Sequence, residues 1–149
     1  MPKPQTLKAM IRVGNYSVDR HVPVRELDVK PDAFAAEGLC LYGYHESLTL
    51  RTASIIEDMA LDGNVPATVE MLLAYGVEHP EDPLRFWIIA LGTAWKDAYG
   101  SNVHPMLRRR CWGNRTFPLL SRICDSGLWS NRCWFLAQGT RLVPEGLRS

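Results

Sequence analysis

The chain has 149 residues, 46% hydrophobic and 22% charged, with a formal net charge of +1. These proportions suit one folded domain, residues 1–149, long enough to bury a core. No apolar run nears the ~20 residues of a membrane span, the start MPKPQTLKAM lacks the apolar centre of a signal peptide, and four scattered cysteines are too few for a disulfide framework. The expected setting is the cytoplasm, without a membrane.

The small net charge hides an asymmetry. Residues 1–99 carry nine Lys/Arg and 14 Asp/Glu, whereas residues 100–149 carry eight arginines, no lysine and two Asp/Glu. Such a split points to an anionic partner at one end, or to attraction between the halves, within one chain or between copies in a homo-oligomer.

In chain order, residues 7–24 read as a β-hairpin, with LKAMIRV and YSVDRHVPV flanking a Gly14-Asn15 turn. Residues 47–139 read as a helical core and 140–149 as a tail. Within the core, Ser47 to Leu61 places Leu48, Ile55, Ile56 and Met59 on one helical face. Val65 to Tyr75 forms a second helix, and the two make a helical hairpin. The segment 81–99, EDPLRFWIIALGTAWKDAY, reads as the central helix. Asp82 caps it and Pro83 takes its first position, and Leu84, Trp87, Ile88, Leu91 and Trp95 recur at spacings of three and four. Trp87 and Trp95 are both expected to be buried. Pro105 to Trp112 and Thr116 to Asp125 read as short helices, and 130–138 fits either a helix or a buried strand. The expected fold class is α+β, mainly α: a compact helical bundle with an N-terminal β-hairpin packed on it.

Chemistry-bearing motifs are sparse. His45-Glu46, in the loop YGYHES, is the weak candidate for a general acid/base pair. It is not part of His-Glu-x-x-His, because position 49 is threonine. His104, Cys111, Cys124 and Cys133 are ligand types for zinc but lack a Cys-x-x-Cys pair, so no metal is expected. There is no Gly-x-Ser-x-Gly elbow and no phosphate-binding glycine loop, and no cofactor is expected.

The most informative polar feature is arginine interleaved with tryptophan: Arg108, Arg109, Arg110, Trp112, Arg115 and Arg132. Arginine pairs phosphate or carboxylate in a bidentate fork and stacks on aromatic faces, and arginine with aromatics also anchors protein interfaces. Three adjacent cations cannot all be satisfied inward. The expectation is a non-enzymatic binding or accessory protein that docks on and modulates a macromolecule with an anionic surface, a class that includes inhibitors and regulators from mobile genetic elements. Two alternatives stand beside it: a nucleic-acid binder using the Arg/Trp-rich part, and a small enzyme built on His45 and Glu46.

Overall fold

A computed structural model describes residues 3–44, 50–125, 127–130 and 132–139. His45, Glu46 and the tail 140–149 lie outside the described residues.

The centre of the molecule is a strand, β10 (Cys133–Gly139), whose consecutive residues Phe135, Leu136 and Ala137 are all fully buried. A strand with no exposed alternate residue belongs to a sheet covered on both faces. One edge of β10 pairs antiparallel with β2 (Leu39–Gly43). The other edge takes β5 (Trp87–Ile89) in parallel, and beyond it β4 (Asn64–Pro66) antiparallel. From β5 the sheet continues through β7 (Asn102–Trp112) and β8 (Arg115–Cys124) to a parallel edge strand, β1 (Ser17–Val18). The short β6 (Trp95–Lys96) pairs with the start of β7, and β3 (Leu50–Arg51) and β9 (Leu128–Trp129) form a separate two-stranded sheet.

Helices cover both faces of the eight-stranded sheet. α1 (Leu7–Val13) and α3 (Val69–Glu78) lie over a core that includes Ile88, Leu107, Leu120 and Leu136. α2 (Thr52–Leu61) buries Ile55 and Met59 against Ile89, Met106 and Phe135 on the opposite face. The fourth helix, α4 (Asp82–Arg85), is a single turn packed on β7 and β8. Polar ties fix the layers. The Tyr16 hydroxyl donates to the Leu73 carbonyl at 2.5 Å, and buried Glu70 accepts the Lys30 amide at 3.0 Å.

The mainly helical bundle is therefore wrong: the fold is a large mixed sheet with four short helices among the described residues. The N-terminal hairpin is instead a helix followed by an edge strand. Thr6 accepts from the Ala9 amide as an N-cap, and Leu7, Met10 and Ile11 form the helix's buried stripe. Gly14 ends that helix and Asn15 turns left-handed at φ 52°, so the pair ends a helix rather than joining two strands. The helical hairpin also fails, because α2 and α3 sit on opposite faces of the sheet.

The proposed central helix contains only α4; the rest is β5, a turn and β6. Ile88 and Ile89 are both buried, one toward each helical layer, and a doubly covered strand imitates the dense apolar pattern of a buried helix. Gly92 lies where a Cβ would meet the Pro66 and Ala67 carbonyl oxygens at 2.6 Å, so the close neighbour is a strand backbone and not a second helix. Trp95 is half-buried and Trp87 is 36% exposed, which overturns the burial expected for both. Trp87→Ala should accordingly cost well under the ~3–5 kcal/mol of a core tryptophan, as a urea denaturation curve would measure.

The two short helices expected after Pro105 and Thr116 are the strands β7 and β8, and 133–139 is strand. Pro105 lies opposite Ala90, just past the end of β5, and makes one of the pair's two possible bonds: its carbonyl accepts from the Ala90 amide. Pro118 has the parity of Leu120, whose carbonyl accepts the Asp19 amide at the outer edge.

Candidate functional site

β7 and β8 form one long antiparallel ribbon, in register from Val103↔Cys124 to Trp112↔Arg115. The two-residue loop Gly113-Asn114 closes it, with Gly113 at φ 59°, the first-position glycine that tight hairpin turns favour. The inner half of the ribbon is core. From Arg109 through Thr116 every residue is exposed, with Trp112 at 70%. The outer half is an arm, with α4 packed against β7 and β8.

Opposed residues share a face of a ribbon, and successive residues alternate. One face of the arm therefore presents Arg108 beside Leu119, Arg110 beside Phe117, and Trp112 beside Arg115. The other presents Arg109 beside Pro118 and Cys111 beside Thr116. The stretch 102–124 contains five arginines and no aspartate or glutamate. Arg108–Arg110, expected within a short helix, instead alternate along a strand, which sends Arg109 opposite to its neighbours.

Residues remote in sequence extend this face. Arg20, beyond the end of β1, lines a hollow of about 390 Å³ with Arg108, Arg110, Leu119, Val18 and Asp19. Asp19 is already engaged: it accepts the His21 amide at 2.9 Å and the Ser121 hydroxyl at 3.1 Å. Burial alone would raise the Asp19 carboxyl, but these bonds and the charges of His21 and Arg122 hold it below its ordinary value. On the other side, the register Ile88↔Leu107 brings Trp87 level with Arg108 one residue further on. The Arg132 guanidinium lies 5.9 Å from the centre of the Trp87 ring, a cation–π contact. Arg108, Arg109, Arg110, Trp112 and Arg115 therefore lie on the arm, and Arg132 lies at its root. Arg20 and Trp87 join them through strand pairing that no local signal reveals.

Toward the acidic half, Arg122 of β8 helps to lower the carboxyls of Asp19 and Asp97. Among the described residues the ion pairs are Lys3–Asp32 and His104–Asp125, and none involves an arginine of the arm.

The remaining candidates do not assemble into a catalytic or metal centre among the described residues. His104 is buried in a clasp: Nδ1 is 2.8 Å from the Thr93 carbonyl oxygen and Nε2 is 3.0 Å from Asp125 Oδ2. Both ring nitrogens are thus engaged by oxygen atoms of the protein itself, which leaves neither turned toward a ligand or a substrate. Asp125 also accepts from the Thr52 hydroxyl at 2.8 Å and the Gly127 amide at 2.9 Å, and the Trp129 indole donates to Thr52 Oγ1. The clasp ties the start of α2 to β7, β8 and β9. Burial pushes the Asp125 carboxyl up, but the bonds from His104, Thr52 and Gly127 and the His104 charge bring it below the usual carboxylate range. Cys111 and Cys124 are exposed and Cys133 is buried, and among the described residues no group of three or more His, Cys, Asp or Glu is placed to hold a metal ion.

Tyr42 and Tyr44, which precede His45 and Glu46, are structural. The Tyr42 hydroxyl donates to Asp62 at 2.6 Å and accepts from Asn64 at 2.7 Å. The Tyr44 hydroxyl donates to Asp58 at 2.7 Å. Burial and the bond to Asp62 push the Tyr42 phenol up to about 12, the wrong direction for a proton-transfer group near neutral pH.

Among the described residues no helix is long and apolar enough to cross a membrane. The chain shows no match to a protein-family model, a curated protein or a solved structure.

Proposed function

We propose that this is a non-enzymatic binding protein that docks on an anionic macromolecule and modulates it, using the β7–β8 arm and its root as the contact surface. The observation that carries the reading is the arm itself: a ribbon exposed from Arg109 to Thr116, rich in arginine and free of acid, with Trp112 open at its tip. An exposed ribbon of this kind contributes little to the core, and unneutralised guanidiniums beside aromatics suit recognition. Four free cysteines, three of them exposed, support a reducing compartment, the cytoplasm, as its setting.

The test is a salt-elution profile on immobilised heparin, with folding followed by thermal melting. The wild-type chain should be retained. The triple variant Arg108→Glu, Arg109→Glu, Arg110→Glu should lose retention while its stability changes by under about 1 kcal/mol, because exposed charges contribute little to folding. A triple variant that is folded and equally retained would remove the arm from the binding surface. A marked fall in melting temperature would mean that the arginines hold the fold together instead.

A further inference from the structure

Taking the docking reading as given, we infer that the anionic partner is duplex DNA, that the β7–β8 arm lies in its major groove, and that Arg20, Arg108 and Arg110 seat a backbone phosphate at the groove's edge.

Dimensions support the groove. The exposed part is four residues long in β7 and two in β8, about 14 Å and about 7 Å at ~3.4 Å per residue. The major groove is about 12 Å wide and ~8.5 Å deep and admits a two-stranded ribbon. The tip can therefore reach base edges while the root stays outside.

Charge placement separates a groove from an acidic protein surface. A flat protein surface meets one face of a ribbon. A groove has a phosphate backbone on each side, and this arm has cations on both faces: Arg108, Arg110 and Arg115 on one, Arg109 on the other. With no Asp or Glu anywhere in 102–124, nothing on the ribbon is repelled by the two backbones.

The tip and root divide the work that such recognition needs. Asn114 and Arg115 at the tip have the side chains that pair with adenine and guanine edges in the major groove. At the root, Arg108 and Arg110 of β7 and Arg20 beyond the end of β1 line the 390 Å³ hollow, and each guanidinium can hold a phosphate oxygen pair in its fork. Asp19 at the hollow's edge is held by His21 and Ser121 and does not neutralise them by ion pairing. Arg132, stacked on Trp87 level with Arg108, stands where a neighbouring phosphate would pass.

The experiment is fluorescence anisotropy with three labelled probes: a duplex of two helical turns, one of its strands alone, and a polyglutamate peptide. Four or so phosphate contacts predict that duplex affinity falls about a hundredfold between roughly 50 and 200 mM salt. Arg109→Gln and Arg110→Gln, on opposite faces, should each weaken duplex binding and each flatten the log–log salt dependence by about 1. Arg20→Gln should do the same, although it lies outside the ribbon. A slope change from only one of Arg109 and Arg110 would place the partner on one face and overturn the groove. Tighter binding of the single strand than of the duplex would also overturn it. Polyglutamate binding that needs the arm, without arm-dependent duplex binding, would reject nucleic acid and leave the docking reading intact. Loss of arm dependence for all three probes would reject both. Circular dichroism on each variant keeps these outcomes free of unfolding.

Discussion

Phe135→Ala is expected to lower the free energy of unfolding by about 3–5 kcal/mol, the cost of emptying a large aromatic site in a core that cannot collapse around it. Phe135 is fully buried in β10 and meets the Trp129 ring edge-on at 5.3 Å between centroids. β10 holds β2 on one edge and β4 and β5 on the other, so few neighbours are free to move into the vacancy. Urea denaturation of the variant measures the effect directly. A loss below about 1 kcal/mol would mean that β10 is not the centre of the sheet.

The second large effect concerns the clasp. Asp125→Asn should cost about 1–3 kcal/mol at neutral pH, because the buried His104 ring loses its anionic partner and the Thr52 hydroxyl loses a strong acceptor. The pH dependence has a definite sign. The Asp125 carboxyl is held below its ordinary value in the folded chain, so its contribution is fully present above the unfolded carboxylate value of about 3.9 and is lost as the pH falls through the lower folded value. The melting temperature of the wild-type chain should therefore drop in acid, and the Asp125→Asn chain should show a shallower drop. It will not be flat. Asp97, whose carboxylate accepts the Ser101 and Tyr99 amides, and Asp19 are lowered in the same sense and remain in the variant. Equal acid slopes in the two chains would show that the Asp125 carboxyl is not held below its ordinary value in the fold.

Such a clasp also bears on the arm. It closes the inner end of β7 and β8, where His104 lies nine residues from Gly113 and Asp125 eleven from Asn114, roughly 30 Å or more along the strands. Anchoring the inner half firmly lets the outer half project with the single turn of α4 packed on the ribbon. Weakening the clasp should therefore reduce stability while leaving arm chemistry in place, which separates a fold variant from a binding variant in the same ribbon.

The sequence alone carried the local signals. The helices α2 and α3 were legible in part: α2 buries Ile55 and Met59 as a stripe, whereas α3 is buried over most of its circumference and begins at Val69, the expected start at Val65 being strand β4. The charge split and the arginines of the arm were legible because cations in succession have no inward solution. Strand and helix could not be told apart at Trp87–Ile89 or in β10, since a sheet covered on both faces has no polar alternation to betray its period of two. Only the tertiary structure decided the pairing, because Trp134 meets Gly43 and Ser17 meets Leu119 across stretches of chain that local propensity cannot see. That pairing brought Arg20 and Trp87 to the arm, set Arg109 against Arg108 and Arg110, and drew His104, Thr52 and Asp125 into one clasp. Each is a consequence of which strand lies beside which, a choice made by burial over the whole sheet and not by any single segment.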